Sequence, residues 1–159
     1  MCEEVEIVIE PIATVYNNRK EMIDDNWGSV ISTIEINSAK FEKDVLLGLS
    51  EFSHLEVVFY MHKVATEKIA EKARHPRGNM SFPLVGIFAQ RVKNRPNRIG
   101  VSRCKLLKVE SHQITVQGLD AINCTPVLDI KPYIKEFGPI GQVKQPFWAT
   151  EIMSHYYDL

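Results

Sequence analysis

Short runs rich in β-branched and aromatic residues, separated by Gly, Pro and Asn clusters and by few stretches long enough for a helix, predict a mainly β chain closed into a barrel of about seven strands. At 159 residues the chain is expected to form one domain around one core, residues 1–159, because two cores of ordinary size would not fit. Composition agrees: 45% hydrophobic and 25% charged residues with a formal net charge of −1 belong to a globular protein rather than a disordered or fibrous one.

Taken in order, Val5–Tyr16 is dense in β-branched residues and interrupted by Pro11, which predicts a strand with a bend or an edge position. Asn17–Ser29 is polar and reads as a long, mobile loop. Val30–Ile36 partly alternates and is the second strand. Phe41–Leu49 predicts a short helix that Gly48 weakens or ends. Leu55–His62 has a continuous apolar centre, the pattern of a strand buried on both faces. Thr66–Ala73 favours a short helix, with Ile69 and Ala73 on one face. Arg74–Phe82 carries the turn chemistry of an exposed loop in Pro76 and Gly78-Asn79.

Pro83–Arg91 reads as another strand and Val92–Arg98 as a turn held by Pro96. Gly100–Glu110 and Gln113–Gly118 form a strand pair across Ser111-His112, and Pro126–Ile130 is a further strand closed by Pro132. Gly138–Pro146 is a loop; its Gly138-Pro139-Ile140-Gly141 has the spacing of a KH turn but contains a proline, so it reads as a plain turn. Trp148–Tyr157 predicts a terminal helix whose aromatics dock on the barrel or on a partner subunit.

Several function classes fall away. No apolar run reaches the eighteen or so residues of a membrane span, and the N-terminus is acidic where a signal peptide is basic, so a cytoplasmic protein is expected. Cys2, Cys104 and Cys124 are too few and too widely spaced for a disulfide framework or a zinc site, and the five histidines include no metal-binding spacing. No metal is expected. A glycine-rich dinucleotide fingerprint and a P-loop are both lacking.

Charge is strongly segregated. Residues 72–109 hold ten Lys or Arg and no Asp or Glu, while residues 1–71 hold six basic and fourteen acidic side chains and residues 110–159 three and six. A block this one-sided points to an anionic partner, or else to a surface paired with the acidic N-terminal half. Within it, Arg91, Lys93, Arg95 and Arg98 surround Pro96; guanidinium groups on a stiffened turn suit phosphate or carboxylate. Asn97 beside them both donates and accepts, as a nucleobase edge requires. Further on, Asp129 and Lys131 share one face of a strand and can pair as an exposed salt bridge.

Two segments, GIFAQRVKNRPNRIGVS (Gly86–Ser102) and LDAINCTPVLDIKPY (Leu119–Tyr133), resemble the signature segments of the TrmO family, also called YaeB-like or TsaA-like. Phe52-Ser53-His54-Leu55 is similar to a third element of that family. The resemblance implies an antiparallel β-barrel of about seven strands, working as a homodimer with S-adenosyl-L-methionine bound near the subunit interface. It implies methylation of N6 of threonylcarbamoyladenosine next to the anticodon of tRNA. By the same resemblance Phe88, Arg91, Arg95, Asn97, Leu119, Asp120 and Thr125 would bind the cofactor. Asp129 and Lys131 would orient the target base or its threonyl carboxylate at the catalytic end, with Tyr133 close by and Asp129 serving as base if one is needed. Arg74, Arg77, Lys93 and Arg98, in the basic block, would meet the anticodon loop.

The chain departs from the family pattern in places. Gln90 stands where Thr is usual, Val92-Lys93 where Ser-Pro is usual, Arg98 where Pro is usual, and Asn123-Cys124 where Asp-Gly is usual. The last change places a side chain at a turn where glycine would permit positive φ. With the insert Arg74–Asn79 these departures describe a divergent branch. The C-terminal extension of longer members is also missing from this sequence, so part of their tRNA contact surface is expected to be absent. Two alternatives stay open: methylation of another nucleoside or small molecule through the same cofactor pocket, and a non-catalytic RNA-binding or ligand-sensing barrel.

Overall fold

The computed structural model describes residues 2–159. Six strands, β1 (Ala13–Tyr16), β2 (Ile31–Ile36), β3 (His54–Tyr60), β4 (Ile99–Glu110), β5 (Gln113–Gln117) and β6 (Pro126–Pro132), close into an antiparallel barrel. Around the wall the order is β1-β2-β5-β4-β3-β6, and β6 returns to β1 with Ala13 opposite Val127. Alternation along the strands fills the interior: Val15, Ile34, Leu55, Val57, Ile114 and Val116 are fully buried. Burying a side chain of this kind stabilises the fold by about 1.5–3 kcal/mol.

Three differences among the strands have physical reasons, and the barrel has six strands where the sequence predicts about seven. Pro83–Arg91 is not a strand: only Val85 pairs, with Arg74, and Ile87–Ala89 is a single 3-10 turn. Leu84 and Phe88 face outward there, so the segment brings no alternating apolar face to a sheet. Only Ala13–Tyr16 of the first predicted strand pairs, while Val5, Ile7, Val8 and Ile9 lie exposed; strand propensity without a partner strand leaves an extended chain. β3 is fully buried on one face alone, through Leu55, Val57 and Phe59, with Glu56, Val58 and Tyr60 half-covered outside. That is the rule for an antiparallel wall strand.

The predicted helices at Phe41–Leu49 and Thr66–Ala73 shrink to 3-10 turns at Lys43–Leu46, Leu49–Glu51 and Thr66–Lys68. Gly48, at φ 82°, separates the first two. The terminal helix α1 is Phe147–Ile152, and the chain beyond it does return to the barrel. Tyr156 O accepts from Trp27 N at 2.8 Å, and His155 O from Asn26 N at 3.0 Å. Gly28 permits this approach, since a Cβ there would lie 2.0 Å from Tyr157 O.

Antiparallel order sends three long connections out of one end of the barrel: β1 to β2 (residues 17–30), β3 to β4 (61–98) and β5 to β6 (118–125). The β4–β5 hairpin, turning at Ser111-His112 as predicted, is at the other end. Residues 17–30 are braced rather than loose. The Arg19 guanidinium stacks 4.2 Å from the Trp27 ring centre and donates to the carbonyls of Ile23, Asp25 and Asn26.

Candidate functional site

The three connections and the C-terminal segment enclose a cavity of about 610 Å³ at their end of the barrel. Its floor is barrel wall, with Phe59, Gly100 and Ser102 on β3 and β4. Gly100 belongs there because a Cβ would stand 2.4 Å from the Phe59 ring. One side carries Gln90, Arg91 and Arg95, and another Asp120, Ala121 and Thr125. The two segments singled out in the sequence thus meet across one space.

The polar atoms of this cavity are incompletely paired. Gln90 and Ser102 are each 4% exposed, yet Gln90 Oε1 and Ser102 Oγ have no hydrogen-bond partner among the described residues, and neither has Asp120 Oδ1 or His62 Nδ1. Buried polar groups are ordinarily satisfied, so these exceptions leave places for a water, an ion or a ligand. Tyr156 donates its hydroxyl to Asp120 Oδ2 at 2.5 Å. Burial, and then the Asp120 charge, push the Tyr156 phenol well above its ordinary range, so it stays a donor. Burial holds the His62 imidazole below its usual value.

Two cations of the cavity wall are held by backbone. Arg91 Nη2 donates to Val101 O at 2.8 Å and Arg95 Nη1 to Gln90 O at 2.7 Å; each guanidinium keeps further donors for an anionic ligand. Arg74 also lines the cavity, half-buried. Other members of the basic block are already engaged. Arg77 pairs with both oxygens of Asp25 at 2.7 and 3.0 Å, and Lys93 with Asp24 at 3.1 Å. Arg98 donates to Val64 O at 2.8 Å and stacks 4.9 Å from the Tyr60 ring centre. Part of the positive charge is therefore paired with the acidic N-terminal half.

The remaining predicted site residues lie elsewhere. Leu119 is fully buried in the barrel core. Phe88 is 80% exposed, and Asn97 sits at the exposed tip of the Pro96 turn, both outside the cavity lining. Asp129 and Lys131 form the expected ion pair, 2.5 Å apart, on the outer face of β6. Beside them Arg103 pairs with Glu56 at 2.7 Å and stacks 4.9 Å from the Tyr133 ring centre. Glu56 and Arg103 also border the cavity, so this outer cluster adjoins its rim.

Two departures show in the backbone. Cys124 takes φ 65°, the left-handed region foreseen for a position where glycine is usual. Arg98 takes φ 52°, which proline cannot adopt. The local turn therefore differs from one built on proline.

Sequence reasoning missed Ser102, His62, Trp27 and Tyr156 as cavity residues. Ser102 lay inside a matched segment and could have been noted; nothing in the spacing of Tyr156 and Asp120 announces their contact.

Fold and cavity together define a small closed barrel with a loop-walled cavity at one end. The chain belongs to the tRNA-methyltransferase O N-terminal domain family, whose model matches residues 12–138. It is similar to human tRNA (adenine(37)-N6)-methyltransferase, 43% identical over 101 residues, which are 64% of this chain and 22% of that protein. A probable S-adenosyl-L-methionine-binding protein of Methanothermobacter thermautotrophicus is 31% identical over 140 residues, covering 87% of this chain and 98% of that one. The crystal structure of TrmO from Pseudomonas aeruginosa superposes with a TM-score of 0.71 at 26% identity, over 88% of this chain and 61% of that one. Against the mammalian relatives the chain spans only 22% or 21% of their length.

Proposed function

We propose that this protein is an S-adenosyl-L-methionine-dependent methyltransferase acting on N6 of threonylcarbamoyladenosine next to the anticodon of tRNA. The observation that carries the reading is the meeting of Arg91 and Arg95 with Asp120 and Thr125 around one cavity that keeps unpaired polar atoms. The residues fit the cofactor's chemistry: guanidinium groups for a carboxylate, the free Asp120 oxygen for an ammonium, and buried acceptors for amine or hydroxyl hydrogens.

When bound, S-adenosylmethionine supplies a methyl group on a sulfonium. The chain's contribution is then orientation and exclusion of water. Arg91 and Arg95, fixed by backbone carbonyls, hold an anionic end. Tyr156 and Tyr157 line the cavity from the C-terminal segment. Asp129, Lys131 and Tyr133 would steady the target base or its carboxylate at the rim, with Arg74 and the outer cations meeting the RNA backbone. A homodimer accounts for the exposure of Phe88 and Leu84, since a second copy would cover them and bring Phe88 and Asn97 toward a shared site. The cytoplasm is the compartment expected.

Transfer of labelled methyl from S-adenosylmethionine to total tRNA, with and without threonylcarbamoyladenosine, tests this. Label in the modified RNA alone is the expected result. The pairing of Arg77 with Asp25 and of Lys93 with Asp24 favours a second reading, in which the same pocket methylates another nucleoside or a small molecule. Cofactor binding without label in either RNA would overturn the tRNA reading and turn the search to other substrates.

A further inference from the structure

Gln90 stands at the neck of the Arg74–Val85 excursion, where Arg74 and Val85 form an isolated antiparallel bridge. Its Nε2 donates to Arg74 O and to Val85 O, both at 3.0 Å. Both amide hydrogens are thereby used. A flipped amide would set an oxygen against two carbonyl oxygens, so the backbone alone decides which way the group faces. Oε1 is left buried and without a partner among the described residues, on a side chain that lines the cavity and is 4% exposed.

Building on the S-adenosylmethionine reading of this cavity, we propose that Gln90 is a specificity-determining residue whose Oε1 accepts a hydrogen bond from an N–H or O–H of the bound nucleoside cofactor. An enclosed small ligand, rather than RNA, is the partner because Gln90 lines the cavity and is only 4% exposed, out of reach of a macromolecule. A threonine, with a single hydroxyl hydrogen, could not hold both neck carbonyls and still present a free acceptor. One glutamine does both, tying the insert to the wall and offering the oxygen. A site built around such an acceptor discriminates against ligands that lack the donor, because the acceptor is then buried unpaired.

The test is calorimetric titration of the intact chain with S-adenosylhomocysteine and with analogues each lacking one donor: the N6,N6-dimethyl, 2′-deoxy, 3′-deoxy and deaminated forms. Wild type is expected to bind one of them about tenfold or more weakly than the parent. In Gln90→Met that gap should shrink to about twofold, with thermal unfolding confirming that the variant is folded. Should Gln90→Met not fold, Gln90→Thr makes the same comparison. The analogue that loses affinity says whether the donor is the adenine amine, a ribose hydroxyl or the amino-acid ammonium. A flat analogue series in wild type, or an unchanged gap in the variant, overturns the proposal while leaving the cofactor reading intact. Absence of S-adenosylhomocysteine binding to wild type overturns both.

Discussion

In the barrel interior, Leu55, Val57, Ile114 and Val116 are fully buried and bring no side-chain polar atom with them. In the cavity lining, Gln90 and Ser102 are almost as thoroughly buried, and each carries an oxygen with no partner among the described residues. Apolar burial of the first kind is what holds the fold together. Unsatisfied burial of the second kind works against it. The barrel end supports the cavity because β3 and β4 are rigid on their inner faces while the long connections above them are free to carry polar groups.

The largest expected effect comes from the interior. Leu55→Ala should destabilise by about 3 kcal/mol, in the range for a fully buried leucine with little room to collapse, as read by urea unfolding. Less is expected in the cavity wall, where Arg77 and Asp25 pair through two hydrogen bonds. Arg77→Ala should cost about 1 kcal/mol near pH 7.

That second effect depends on pH. The Arg77 guanidinium holds the Asp25 carboxyl below its ordinary value. The pair's contribution is therefore complete above the usual carboxylate range and is lost as pH falls through the lower, folded-state value. Wild type and Arg77→Ala should converge in acid. A constant difference down to acid pH would mean that the loss is packing rather than charge.

Ser102→Ala should change stability by less than about 1 kcal/mol in either direction, since it removes an oxygen that makes no bond. A larger loss would erase the distinction between the two regions, by showing Ser102 to be part of the structural network. The smallest effect is chemical. Burial, reinforced by Asp120, pushes the Cys104 thiol up to about 12, whereas Cys2 and Cys124 are exposed. A thiol reagent at pH 8 should modify two cysteines in the native chain and the third only after unfolding.

Different parts of this molecule were legible to different degrees. The β4–β5 hairpin and β2 could be read almost to the residue, because alternation and a short turn are local signals. Val5–Ile9 and Pro83–Arg91 have the same composition and did not become wall strands, because pairing depends on a neighbour that local composition does not reveal. The site divided likewise. Arg91, Arg95, Asp120 and Thr125 were picked out by resemblance and do share one cavity. Leu119 turned inward to the core, and Phe88 outward to solvent. The free oxygen of Gln90 could not be read at all, since it follows from two carbonyls, one of them sixteen residues away.

Hydrogen exchange of backbone amides, with and without S-adenosylhomocysteine, reaches the central claim most directly. Ligand-induced protection should appear together in residues 90–95, in 119–125 and at the C-terminal segment around Tyr156, three of the stretches that wall the cavity. Protection confined to another face, or none at saturating ligand, would contradict the assignment of this cavity as the cofactor site.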